Sequence, residues 1–443
     1  MTIPREITPD NVHTVIVDSS SRPEERAILE SNIRAANVIA VVYAVNDQKS
    51  FDRLSAHWLP YIRSLGVNVP IVIVGNKIDV RGSDMSNPNL EEMILPLMND
   101  FKEVETCVEC SAKELVNIAE VFYFAQKAVL HPTAPLYDSR EHVLKAPCEH
   151  ALERIFRLCD ANKDGVLDDE ELNTFQTTCF DTPLQRAELE GVKAVIRQHC
   201  PVGLSGSHVN LDGFLFLHRL FIQRGRLETT WTVLRRFGYE DDLSLREDYL
   251  HPVNFEPGCA VELSPKGYQF LTELFGKFDR DGDGALAWDE LDELFATCPG
   301  NPWTISGFPE TTLVNEQGAL TLQGFLAQWA MTTLLDPSLA VAYLAYLGYA
   351  ETFPASGNDT MTAVKVINPG RKRSEFLAHR DVFLCHVMGA VGCGKSALLR
   401  SFLHRNFAPD YTPSTRPALA VNSVEIGGRE RYLVLKVSLK CWA

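Results

Sequence analysis

Over the first 130 residues, short unbroken apolar runs alternate with stretches of helical spacing. His13–Asp18, Val38–Val45, Val69–Gly75 and Thr106–Cys110 read as strands. Their continuous apolar character suits a parallel sheet buried on both faces. Glu24–Ala36 and Glu114–Val129 carry helical patterns, so residues 1–130 predict a doubly wound α/β layout. The prolines of His131–Tyr137 break the alternation, and 131–141 reads as a linker. From 142 to about 365 the pattern is largely helical, giving an overall class of α/β plus α. Residues 366–379 form a second linker, and 380–443 open a new strand–loop–helix unit. Asp381–Met388 is its strand and Ala397–Leu403 its helix, with strands at Ala418–Ile426 and Tyr432–Val437.

The helical part is duplicated. Leu152, Ile155, Phe156 and Cys159 recur 119 residues later as Leu271, Leu274, Phe275 and Phe278. Gly213-Phe-Leu215 then matches Gly324-Phe-Leu326, and Phe237-Gly-Tyr239 matches Leu347-Gly-Tyr349. Matches that keep their order across three separated segments indicate two modules, 142–252 and 253–365.

Each module carries one complete EF-hand loop. Asp160–Glu171 offers Asp160, Asn162, Asp164, the Val166 carbonyl, Asp168 and Glu171 at positions 1, 3, 5, 7, 9 and 12. Asp279–Glu290 offers Asp279, Asp281, Asp283, the Ala285 carbonyl and Glu290, with Ala287 leaving position 9 to a water. Calcium takes six to eight oxygens, and a twelve-residue loop surrounds it only if the chain turns sharply at position 6. Gly165 and Gly284 stand there. Two calcium ions are expected, with affinities of about 10⁻⁷ to 10⁻⁵ M for loops of this charge. Each loop is paired with a degenerate mate. Aligning Leu211 and Leu322 with position 8 puts Leu215 and Leu326 at position 12, where leucine provides no carboxylate. The helices around Trp231–Tyr239 and Val341–Tyr349 either fill the groove of each pair or are ordinary core helices.

Two further motifs speak of nucleotides. Gly389-Ala-Val-Gly-Cys-Gly-Lys-Ser396 fits the phosphate-loop pattern between a strand and a helix, where backbone N–H groups face phosphates. Gly389, Gly392 and Gly394 allow the turn, Lys395 would reach the β/γ-phosphates, and Ser396 would ligate Mg²⁺. Thr415 is a weaker switch candidate. At the other end of the chain, Asn76-Lys-Ile-Asp79 and Ser111-Ala-Lys113 each close a strand, the edge at which open α/β sheets bind ligands.

Composition narrows the classes. A net charge of −16 over 443 residues offers no basic face for nucleic acid or anionic membrane. The 11 scattered cysteines show no metal-type pairing of CxxC motifs and read as reduced thiols. The longest apolar stretch, Leu339–Leu347, falls short of the roughly 20 residues a spanning helix needs.

The order of Asn76–Asp79, Glu109–Lys113, His131–Tyr137, both calcium loops, Phe237–Tyr239 and Gly389–Ser396 resembles the mitochondrial Rho GTPases, the Miro family. The resemblance implies a Ras-like domain, paired EF-hand modules and a second GTPase domain. It implies GTP or GDP with Mg²⁺ as cofactors. Asn76, Lys77 and Asp79 with Ser111, Ala112 and Lys113 would read the guanine base. It also implies GTP hydrolysis, a place on the cytosolic face of the mitochondrial outer membrane, and transport adaptors that link to kinesin and dynein. Set beside that family, the sequence begins after the opening strand and phosphate loop of the first domain. It ends at Ser438–Ala443, before the second domain's remaining motifs and a membrane helix. Ser21 replaces the glycine that would follow Asp18 in a DxxG motif. The expectation is therefore a splice variant or partial gene model, cytosolic without its anchor and weak or inactive in hydrolysis. A calcium sensor or scaffold without enzymatic activity is the alternative.

Overall fold

The computed structural model describes residues 1–8, 11–67, 69–81, 90–138, 141–256, 258–304, 307–352, 360–367, 380–407 and 418–437. Its principal elements begin with β1 (Ile39–Ala44), β2 (Ile71–Asn76), β3 (Val104–Glu109) and α1 (Ile118–Leu130). The first module follows as α2 (Ala146–Cys159), β4 (Val166–Leu167), α3 (Asp169–Phe180), β5 (His208–Asn210), α4 (Leu211–Gln223) and α5 (Leu227–Arg236). The second contains α6 (Pro265–Phe278), β6 (Ala285–Leu286), α7 (Trp288–Leu294), β7 (Leu320–Thr321), α8 (Leu322–Leu335) and α9 (Pro337–Tyr346). Last come β8 (Val382–Val387), α10 (Lys395–Phe402), β9 (Ala418–Ile426) and β10 (Arg429–Val437). The chain gathers into two compact units. One comprises Met1–Glu153, Thr178–Leu204 and Asp212–Ser244, the other Arg154–Thr177, Ser205–Leu211 and Leu245–Ala443.

In the first unit β1, β2 and β3 form a parallel sheet in that order, with Ala44 beside Asn76 and Gly75 beside Glu109. Ile71 and Ile73 point into one core with Leu54 and Leu59, while Val72 and Val74 point into another with Val121 and Ala125 of α1. That two-faced burial is why β2 reads as an unbroken apolar run; β1, expected to be buried on both faces, is covered on one only, with Val42 57% exposed. The strand expected at His13–Asp18 does not join them. Thr14 and Val15 pair antiparallel with Ile3 and Thr2 in a separate ribbon, and Val15 and Val17 are 59% and 61% exposed. Its side chains alternate between exposed and part-buried positions, so only one face of this apolar run is covered. The prolines of 131–137 introduce a packed segment, in which Leu136 is fully buried and the Pro132 carbonyl accepts from Trp231 Nε1–H of α5 (3.0 Å).

In the second unit, Phe270, Leu274 and Phe275 of α6, Leu291 of α7, Phe325 and Trp329 of α8, and Val341 and Leu344 of α9 share one core. α8 is buried on a second side as well. Ala327, Ala330 and Met331 pack with Val382, Val421 and Val434 of the sheet β8–β10–β9. In that sheet β8 is parallel to β10, and β9 antiparallel. A buried carboxylate fixes the start of β8: Glu262 accepts the N–H groups of Asp381 (2.9 Å) and Val382 (3.2 Å) and pairs with Arg380 (2.5 Å). Thr415 lies outside the described residues. Among the described residues no helix is long and apolar enough to cross a membrane.

Candidate functional sites: two calcium loops and two nucleotide motifs

The two EF loops fold onto the same frame. In the first, Glu171 Oε1 accepts from Ala161 N–H (2.8 Å) and Oε2 from Asp168 N–H (3.0 Å). In the second, Glu290 Oε1 accepts from Arg280 N–H (2.9 Å) and Oε2 from Ala287 N–H (2.9 Å). The position-12 carboxylate thus straps positions 2 and 9 together in both. Asp160 Oδ2 accepts from Gly165 N–H (2.9 Å), as Asp279 Oδ2 does from Gly284 N–H (3.0 Å). Gly165 and Gly284 adopt φ of +84° and +82°, conformations that cost a side chain about 1–2 kcal/mol.

Both loops fit a hard cation. Asp279 Oδ1 is buried without a hydrogen-bond partner, which is costly unless a positive charge meets it. Carboxylate oxygens of Asp279, Asp281 and Asp283 lie within 4.8 Å of one another. In the first loop Asp160 and Glu171 are 5% and 9% exposed. Burial, with Glu171 beside it, pushes the Asp160 carboxyl up. Asp164 Oδ1 accepts from Val166 N–H (3.0 Å), and Asp168 Oδ1 caps α3 by accepting from Glu170 and Glu171 N–H (2.8 and 2.9 Å). A cleft of about 270 Å³ behind this loop is lined by Asp160, Lys163, Leu274, Phe278 and Arg280 among others.

The degenerate mates sit two residues from where the leucine alignment puts them. Leu167, at position 8, pairs with Val209, and Leu286 pairs with Leu320, so Val209 and Leu320 are the true position-8 partners. Counting on, position 12 falls on Gly213 and Gly324, not on Leu215 and Leu326. These glycines permit close backbone approach. A Cβ on Gly324 would come within 2.1 Å of the Leu313 carbonyl oxygen, and one on Gly203 within 2.6 Å of Gly213 Cα. Leu211 and Leu322 misled because they open helices α4 and α8. The repeated Gly-Phe-Leu was the usable signal.

The Asn76–Asp79 and Ser111–Lys113 motifs, which start 35 residues apart in sequence, are knitted together at the ends of β2 and β3. Asn76 Oδ1 accepts from Lys77 N–H (2.7 Å) and Ala112 N–H (3.1 Å). Ser111 Oγ–H donates to Asp79 Oδ1 (2.6 Å) and holds that carboxyl below its usual range, with Lys113 Nζ at 3.8 Å from Oδ2. A turn at Lys77, φ +69°, carries the chain across the strand ends. The phosphate-loop sequence joins β8 to α10, with φ of +157°, +78° and +86° at Gly389, Gly392 and Gly394. Lys395 Nζ lies over the carbonyls of Gly389 (2.9 Å) and Ala390 (2.6 Å), and Ser396 sits in the first turn of α10. Exposed loop backbone, a helix N-terminus and an ammonium are a donor set for phosphate.

Known proteins carry the same parts. The Ras family profile matches residues 4–131, the EF-hand profile 152–176 and 271–295, and two EF-hand-associated profiles 182–267 and 303–376. Mitochondrial Rho GTPase 1 of Cryptococcus neoformans var. neoformans serotype D (strain JEC21) is 50% identical over 98% of this chain and 69% of its own length. Its counterparts in Mycosarcoma maydis and Gibberella zeae are 52% and 47% identical over 98% of this chain, and 66% and 70% of theirs. The chain belongs to the mitochondrial Rho GTPase, or Miro, family. It spans about two thirds of the length of these relatives, and its parts are those of a calcium-binding GTPase.

Proposed function

We propose that this chain is a calcium-responsive, guanine-nucleotide-binding regulator of mitochondrial distribution. Calcium would be held by Asp160, Asn162, Asp164, Val166, Asp168 and Glu171 in one loop. Asp279, Asp281, Asp283, Ala285 and Glu290 would hold it in the other. The observation that carries this reading is the duplicated strap of Glu171 and Glu290, combined with the unsatisfied Asp279 oxygen. Asn76, Asp79 and the Ser111–Lys113 backbone would read the base. Lys395 and Ser396 would hold phosphate and Mg²⁺ in a second GTPase domain beginning near residue 380. The modules would run from 142 to 252 and from 253 to 365. By kinship the chain would act at the mitochondrial surface as an adaptor toward kinesin and dynein carriers on microtubules.

A second reading, a calcium scaffold without hydrolysis, is favoured by one arrangement. The base-reading residues and the phosphate loop sit on separate three-stranded sheets. Calorimetry and a fluorescent GTP analogue on the 443-residue chain decide between the readings. Two calcium sites with Mg²⁺-dependent nucleotide binding, weakened by Asp79→Ala or Lys395→Ala, uphold the first. Two calcium sites with no nucleotide binding leave the scaffold. An absence of calcium uptake at about 10⁻³ M, above the sensor range, defeats both.

A further inference from the structure

We propose that Gln323 and Asn422 are positioning residues that let calcium at the second loop set nucleotide affinity at Gly389–Ser396. The inference rests on the calcium and nucleotide readings above and adds a link between them. The path is short and lies within one unit. Ala285, whose carbonyl is the position-7 oxygen, belongs to β6 and is paired with Thr321 of β7. Thr321 Oγ1 accepts from Gly324 N–H (3.1 Å) and caps α8, so a pull on the loop carbonyl acts on the first turn of that helix.

From that turn Gln323 Nε2–H donates to Asn422 Oδ1 (3.1 Å) and to Ser423 Oγ (2.6 Å). Asn422 is 4% exposed, and its Nδ2–H donates to the carbonyl of Phe402 (3.0 Å), the last residue of α10. The first residue of α10 is Lys395. One buried amide therefore joins the EF-hand helix to the far end of the phosphate-loop helix. Eight residues of helix span about 12 Å and transmit a displacement without bending. A second tie runs beside the first, from Arg405 Nη2–H to the Pro309 carbonyl (2.7 Å). α8 is packed on both faces, with Trp329 and Ala330 each 0% exposed, so it shifts as a body. If calcium favours one placement of α8 and nucleotide favours one placement of α10, the two affinities are linked, and reciprocally so.

The test uses the full chain in the Glu171→Gln background, where only the second calcium loop remains. A fluorescent GDP analogue with Mg²⁺ is titrated with calcium or with chelator, and only the signal lost in Lys395→Ala is scored. The expected result is a change in nucleotide affinity of about fivefold or more, with calcium affinity moved by the same factor when nucleotide is present. Gln323→Met, at an exposed position, should bring that factor close to one while each ligand alone binds as before. Equal nucleotide affinity with and without calcium overturns the inference, as does a factor that survives Gln323→Met. Absence of any Lys395-dependent signal removes the nucleotide reading itself, and the inference with it.

Discussion

The two calcium loops share a frame and differ in how they are filled. Loop 279–290 has glycine at positions 4 and 6, three aspartates gathered within 4.8 Å, and a half-exposed tryptophan, Trp288, at position 10. Loop 160–171 has Lys163 at position 4, with φ +61° and its ammonium turned back onto the Arg157 carbonyl, and Asp168 at position 9. Each loop holds one cation: Arg280 is drawn away to Glu293 (2.6 Å), while Lys163 stays in the field of Asp160, and the first loop also spends Asp168 on capping α3. A shared ligand pattern fixes what is bound. The residues between ligands decide how much repulsion the empty loop must hold.

The largest effect should come from the straps. Glu171→Gln and Glu290→Gln should each remove one site, moving it beyond about 10⁻³ M from the sensor range near 10⁻⁶ M. Calorimetry that still counts two sites in either variant would break the comparison at its root. An optical difference follows. Terbium in loop 279–290 should be sensitised by Trp288, whereas position 10 of the other loop is Asp169. Trp288→Phe should abolish most of the luminescence and leave calcium binding intact.

The modules should also differ in acid. His218, in the first, is buried against Thr230 Oγ1 (3.1 Å), and burial pushes it down to about 3. Its counterpart under the 111-residue shift that relates Gly213 to Gly324 is Trp329. A folded-state value below the unfolded one means that stability is complete above pH 6.5 and falls as the unfolded chain takes up the proton. The loss is about 1.4 kcal/mol per pH unit between roughly 6.5 and 3. Chemical denaturation followed against pH should show this slope vanish in His218→Phe; an unchanged slope would assign the acid loss elsewhere. The smallest effect is expected from Lys163→Gly, which gives the first loop the glycine of the second. Removing one cation should tighten calcium by about fivefold, on the order of 1 kcal/mol. Weaker binding would show that the lysine supports the loop rather than opposing the ion.

Much of this was legible in the sequence because the relevant physics is local. A twelve-residue loop states its ligands by position, and Ile71–Gly75 states its two buried faces by lacking polar residues. The two short motifs at Asn76 and Ser111 were readable as strand ends. Their hydrogen bonds to each other were not, because those depend on β2 lying beside β3. The same limit explains the two-residue slip at the mates. Leu211 and Leu320 are equally apolar, and only ladder pairing tells a helix start from a strand partner. His13–Asp18 misled in the opposite way, since an apolar run does not reveal that half of it faces outward. Gln323 and Asn422 are 99 residues apart, and no spacing rule joins them.

The glycines at position 12 of the mate hands have a consequence for the shape of the calcium response. A pair that closes one hand by backbone contact admits a single ion, and two ions in one pair are what steepen the titrations of such proteins. Each pair here should fill along a simple hyperbola, with a Hill coefficient near one. The molecule would then report calcium as a dial that turns smoothly with concentration, having no threshold at which it trips.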